Sequence, residues 1–167
     1  MTRSTKMFLF LTLLGLTASE GTHGKINLAL LGRATQSNTY LHIFADASHA
    51  IDGNKDANFD HGSCTHTKLE DQPWWRVEMQ DAYRVDSVVL TNRGDCCPER
   101  LNGAEIHIGN SLENNGNNNP SCAVVSVIPA GESVSFNCNG MVGRFVSVVL
   151  PKTGVLTLCE VEVYGSK

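Results

Sequence analysis

Long apolar runs are scarce in this chain of 167 residues: one occurs, Met7-Phe8-Leu9-Phe10-Leu11-Thr12-Leu13-Leu14-Gly15-Leu16, and nothing comparable follows it. A membrane span takes about 20 such residues, so insertion into a bilayer is not expected. Arg3 and Lys6 precede the run, and Ala18, Ser19 and Gly21 follow it, which is the layout of a secretory signal peptide. Residues 1–18 are read as that signal, 19–24 as a short lead and 25–167 as one folded domain of a secreted, extracellular protein. The chain also lacks an Asn-x-Ser/Thr sequon, so it is not expected to carry N-linked sugar. Positive charge is in deficit: the formal net charge is -4, and -6 once Arg3 and Lys6 are removed with the signal. That balance argues against nucleic acid or an anionic membrane as partner. No nucleophile elbow or related hydrolase signature is present, and no enzyme is expected.

No convincing amphipathic helix is visible either, and short strands divided by turns take its place. Trp75, Val77 and Met79 alternate with Arg76 and Glu78; Val85, Val88, Val89 and Leu90 form a β-branched run; Ile106 and Ile108 alternate with Glu105 and His107. Further strands are expected over residues 123–128, at Val134 and Phe136, and over 142–150. A last one has Leu158, Glu160 and Glu162 on one face and Cys159, Val161 and Val163 on the other. Residues 33–68 are polar and without helical period, a long loop of the kind that is functional or held by a ligand. The pattern as a whole indicates an all-β sandwich.

Six cysteines lie after the signal, an even number that in a secreted chain is expected to be oxidised to disulfides. Two of them stand side by side in Arg93-Gly94-Asp95-Cys96-Cys97-Pro98-Glu99-Arg100. Neighbouring Cα atoms about 3.8 Å apart are closer than the roughly 4.4 Å lower limit of ordinary bridges, so the residues alone favour separate partners for Cys96 and Cys97. The two arginines can hold a small polar ligand if carboxylates fix them. The same stretch spells Arg93-Gly94-Asp95, an integrin-binding tripeptide, which makes an adhesion protein the alternative reading. His61-Gly62-Ser63-Cys64-Thr65-His66 carries zinc-type ligands, but a disulfide-bonded Cys64 supplies no thiolate. Ala50-Ile51-Asp52-Gly53-Asn54-Lys55-Asp56 gathers hard oxygen donors around a glycine turn without the spacing of an EF-hand. It is also an ordinary turn sequence.

One pattern links these pieces: His66, then Arg93, Asp95 and Arg100, with Cys96-Cys97 between the last two. Together with Arg33-Ala34-Thr35-Gln36-Ser37, Ala50-Ile51-Asp52-Gly53-Asn54, Pro73-Trp74-Trp75-Arg76-Val77 and Leu158-Cys159-Glu160-Val161-Glu162-Val163, it resembles the F-type lectin, or fucolectin, family over nearly all of residues 25–165.

The resemblance implies a jelly-roll β-sandwich related to discoidin-like, galactose-binding domains, and a lectin that binds terminal L-fucose on glycans in innate recognition or agglutination. By this analogy His66, Arg93 and Arg100 converge on the axial 4-hydroxyl of fucose, with Asp95 and Glu99 orienting the arginines. It also implies that Cys96 and Cys97 pair with each other and form a rigid floor for the sugar, with Phe59 beside its methyl group and Tyr40 or Leu41 adding to that wall. The remaining pairs implied are Cys64 with Cys159 and Cys122 with Cys138. A structural calcium ion is implied at the carboxylates of Asp52 and Glu160 and the backbone oxygens of His49, Asn54, Ser63 and Cys159. A homo-oligomer, a trimer by the same resemblance, and fucosylated glycans as partners complete the expectation.

Overall fold

The computed structural model describes residues 25–167; the expected signal peptide and lead lie outside the described residues. Six strands run in chain order: β1 Arg33–Gln36, β2 Trp74–Thr91, β3 Glu105–Gly109, β4 Ser121–Val124, β5 Ser133–Val149 and β6 Glu160–Ser166. Every pairing among them is antiparallel. The described residues include short 3-10 turns and no α-helix, none of them long and apolar enough to cross a membrane.

The two long strands make the fold. The start of β2, residues 75–78, pairs with β1, and 74–78 pair with residues 145–149 of β5. After a register shift between Glu78 and Tyr83, the second half of β2 pairs with the first half of β5 on one side and with β6 on the other. Each long strand thus passes from one layer of the sandwich into the other. β3 and then β4 extend the first layer beyond β5. This is the all-β sandwich expected. The separate strands read at 75–79 and 85–90, and at 134–136 and 142–150, are in fact single bent strands, because the apolar alternation lapses at Gln80-Asp81-Ala82 while the backbone pairing resumes.

The alternation works as read on the core side. Trp75, Val77 and Met79 are fully buried, as are Val85, Val88, Leu90, Ile106, Val146, Val148, Val161 and Val163. Each large apolar side chain so buried is worth roughly 1.5–3 kcal/mol. On the opposite face of β2, the Arg76 guanidinium lies 5.1 Å from the Trp74 ring centroid and 5.7 Å from that of Phe145. One expectation needs correction. Residues 125–128 are not strand; the carbonyl of Ile128 accepts instead from Asn92 Nδ2 at 2.7 Å, which ties this segment to the loop after β2. Glu160 and Glu162, which share one face of β6 with Leu158, are buried, because the loop around Asp52 packs over them. Lys55 Nζ meets Glu162 Oε2 at 2.8 Å, and the Tyr164 hydroxyl donates to Glu162 Oε1 at 2.6 Å.

Candidate functional site

Three connections meet at one end of the sandwich: residues 37–73, 92–104 and 150–159. They are laced together by backbone and threonine hydrogen bonds. Thr65 N–H donates to the Leu158 carbonyl at 2.7 Å and Thr67 N–H to that of Leu156 at 3.0 Å, while the Leu156 N–H returns a bond to Thr67 Oγ1 at 2.9 Å. Gly94 N–H donates to Ala57 O at 2.7 Å, joining the first loop to the second. The disulfide Cys64–Cys159, closing 95 residues, fastens the same junction. Cys122–Cys138, closing 16, ties β4 to β5, and Cys96 is bonded to Cys97. A chain-entropy estimate gives roughly 4.7 and 3 kcal/mol for loops of the first two sizes.

Between the loops lies an open cavity of about 810 Å³, lined by Tyr40, His42, Phe59, Asp60, His66, Thr67, Leu69, Arg93, Cys96, Arg100, Gly154 and Val155. Residues far apart in sequence therefore share one wall. The arginine loop is held from behind by Asn92, which is buried and whose amide donates to the carbonyls of Pro98 at 3.0 Å and Ile128 at 2.7 Å. Cys97 takes a left-handed conformation at φ 57°, and the 3-10 turn Pro98–Leu101 follows it. Leu101, fully buried, anchors that turn and so sets where Arg100 emerges.

Arg93 is buried, its guanidinium gripped by Asp95 through Nε to Oδ1 at 3.0 Å and Nη2 to Oδ2 at 2.6 Å. Asp95 Oδ1 also accepts from the Phe59 N–H at 2.9 Å. The Arg93 fork holds the Asp95 carboxyl down at about 2, the Phe59 bond working in the same direction against burial. Below Arg93 sits the Phe59 ring, 4.7 Å from Cζ to centroid. His66 donates from Nδ1 to the carbonyl of Thr67 at 2.7 Å, which leaves the Nε2 lone pair facing the cavity with Arg100 Nη1 3.3 Å away. Burial first, opposed by the Thr67 bond, and then the nearby charges of Arg100, Arg93 and His42, hold the imidazole below its ordinary range. It is therefore neutral at neutral pH, an acceptor between two cationic donors.

Several expectations are revised by this geometry. Asp95 orients Arg93 alone; Arg100 has no carboxylate partner among the described residues, and Glu99 makes no side-chain bond there. Phe59 lines the cavity, but at 5% exposure it is chiefly core, stacked under Arg93 and packed with Ala45, Cys64 and Cys159. Tyr40 does line the cavity, its ring 4.7 Å from His66, whereas Leu41 is exposed and does not line it. Integrin binding is not favoured, since Arg93 is buried and folded back onto Asp95 rather than presented with it at a loop tip. His61 and Cys64 do not join His66 in a zinc site: Cys64 is a disulfide and the His61 ring bonds Asp56 at 2.7 Å.

The oxygen-rich loop lies behind the cavity. Asp52 Oδ1 accepts from Asn54 N–H at 2.8 Å, and Gly53 N–H donates to Glu160 Oε1 at 3.2 Å. Glu160 Oε2 is buried without a partner, and its carboxyl is pushed up to about 8, chiefly by burial, with Asp52 and Glu162 adding to it. The Ser63 hydroxyl is used internally on Asn58 O at 3.1 Å, and the His49 ring bonds the Gly62 carbonyl, so any ligand role of these two falls to backbone oxygen.

A family model for NedA-like, galactose-binding domains matches residues 49–148. Fucolectin-4 of Anguilla japonica is 56% identical over 141 residues, covering 82% of this chain and 78% of that protein. The chain belongs to the fucolectin family. Its fold superposes on a fucolectin from striped bass (Morone saxatilis) serum at a TM-score of 0.82 with 55% identity, over 85% of this chain and 48% of the bass chain. A fucose-binding module of Streptococcus pneumoniae superposes at 0.72 with 32% identity, over 86% of this chain and 98% of the module. Fucolectins are lectins, and this chain is accordingly not an enzyme. His42, Asp60, Leu69 and Val155 on the cavity wall and Asn92 behind it were not among the residues expected from the sequence. Only the alternation of aromatic rings at Tyr40, His42 and Phe44 could have pointed to the first of them.

Proposed function

We propose that this chain is a secreted, calcium-stabilised lectin that binds terminal L-fucose on glycans, acting in innate recognition or agglutination. The observation that carries this is the convergence on one cavity of a neutral His66, two arginines and Cys96, whose bonded partner Cys97 is not itself among the lining residues. Relatives named fucolectins and a fucose-binding module of the same fold support the choice of sugar. In this reading His66 Nε2 accepts from the axial 4-hydroxyl, while Arg93 and Arg100 donate to that oxygen and to the neighbouring ring and hydroxyl oxygens. A sugar lacking the axial hydroxyl leaves these donors without an acceptor, which is the costly outcome in a partly buried site. The flat Cys96–Cys97 bridge and Tyr40 supply apolar contact to the ring and methyl group.

The residues around Glu160 fit a calcium ion. A buried carboxylate oxygen without a hydrogen-bond partner, with the Asp52 carboxylate near enough to act on it electrostatically, is the kind of hard donor suited to that cation. Asp52 and Glu160 would hold it through their side chains, and His49, Asn54, Ser63 and Cys159 through backbone oxygen. Bound there, calcium neutralises the paired carboxylates and clamps the loop that carries His66. Single sugar sites are weak, so useful avidity calls for several copies held together, here a homotrimer.

Competition against a fucosylated surface tests the proposal. Free L-fucose displaces the chain at pH 7 to 8, and affinity falls as the pH is lowered through the range in which His66 protonates, which lies below the ordinary histidine value of about 6.5, because a proton on Nε2 removes the acceptor and places a third charge beside Arg93 and Arg100. Asp95 is not the cause, since its carboxyl stays ionised until about 2. Absence of competition by L-fucose, or affinity unchanged across the pH range in which the His66 imidazole protonates, contradicts the reading.

A further inference from the structure

The cavity wall carries one carboxylate, with a second directly behind it, and the two are differently engaged. Asp95, behind Arg93, is fully engaged, gripping that residue and accepting from the Phe59 N–H. Asp60 lines the cavity, is exposed, and its side chain makes neither an ion pair nor a hydrogen bond among the described residues. It is nonetheless held firmly in place. It sits in the 3-10 turn Phe59–His61, whose first residue is buried under Arg93, and its own N–H donates to the capping side chain of Asn58 at 3.0 Å.

The positive charges do not offset it at the mouth. Arg93 is buried and paired with Asp95, and Arg100 reaches inward to His66 Nε2. Lys68 is exposed but does not line the cavity. Among the other lining residues near the surface, Tyr40, Leu69, Gly154 and Val155 bring no charge, and the exposed His42 brings an imidazole whose Nδ1 accepts from the Phe44 N–H at 3.3 Å. A ligand whose innermost sugar fills the cavity therefore meets, with its second sugar, a lip on which Asp60 is the one carboxylate, and that carboxylate is unpaired.

We propose that Asp60 is a specificity-determining residue, selecting neutral fucosylated glycans against those that carry a sulfate or carboxylate on the sugar next to fucose. This rests on the reading of the cavity as a fucose site. An ionised carboxylate only accepts hydrogen bonds: a hydroxyl or acetamido N–H on the neighbouring sugar satisfies it, and an anion there does not. Two like charges about 4 Å apart in water repel by about 1 kcal/mol, close to fivefold in affinity. The effect fades over a Debye length of about 8 Å at physiological salt.

The test compares a neutral fucosylated trisaccharide with its monosulfated counterpart by calorimetry, for the wild type, Asp60→Asn and Asp60→Glu, at low and high salt. The wild type binds the neutral sugar about fivefold more tightly at low salt. The ratio falls towards one in Asp60→Asn, persists in Asp60→Glu, and narrows at high salt in the wild type. Equal wild-type affinity for the two sugars, or a ratio unmoved by salt, overturns the selection while leaving fucose binding intact. If the wild type binds neither sugar, the fucose reading and this inference fall together. Should Asp60→Asn not fold, the salt comparison on the wild type still decides.

Discussion

Replacing Arg100 with alanine removes fucose binding and leaves the fold in place. The expected loss is about 3 kcal/mol, or roughly a hundredfold in affinity, since hydrogen bonds from a charged donor are worth about 1.5–3 kcal/mol each. Arg100 is the cleaner probe of the two arginines. It has no carboxylate partner among the described residues, and its turn is anchored by Leu101, so truncation strands no buried charge. Arg93→Ala differs: it leaves Asp95 unpaired and uncovers the Phe59 ring, so lost binding there is mixed with lost stability. Arg100→Lys does not restore affinity, because an ammonium lacks the planar fork that reaches two sugar oxygens at once. Glycan affinity together with a thermal melt checks this, and an Arg100→Ala protein that binds fucose normally removes the residue from the site.

Calcium removal has the second large effect, on stability. A ligand present at about a hundred times its dissociation constant stabilises by about 2.7 kcal/mol, which for a domain of this size corresponds to roughly 5–10 °C in melting temperature. A chelator is expected to lower the melt by that amount, and Glu160→Gln to abolish the response, because the unpartnered Oε2 is replaced by a neutral amide. Fucose affinity falls in parallel, since Ser63 lies on the same short segment as His66, fastened by Cys64–Cys159. A melting temperature indifferent to the chelator contradicts the calcium proposal.

The strands were legible wherever one face meets the core and the other does not. Trp75, Val77 and Met79 announce β2 by alternation, whereas Arg33-Ala34-Thr35-Gln36 carries no apolar period, and β1 exists because β2 offers its edge. The same logic is silent at Glu160 and Glu162: a loop more than a hundred residues earlier covers them, and sequence pattern does not report such a cover. At the site, residue chemistry identified Arg93 and Arg100 as donors, and family resemblance joined them to His66. It also reversed the reading of Cys96 and Cys97, whose spacing alone favours separate partners. Asp60, Leu69 and Val155 stayed hidden because membership of the wall is set by where three loops cross, a property of the fold and of no local motif.

The most direct test of the central claim is a crystal structure of the chain grown with L-fucose and calcium. The account predicts the sugar against the Cys96–Cys97 bridge, its axial 4-hydroxyl within hydrogen-bonding reach of His66 Nε2, Arg93 and Arg100. Fucose bound elsewhere, or held in this cavity with that hydroxyl turned away from His66 and both arginines, would contradict it.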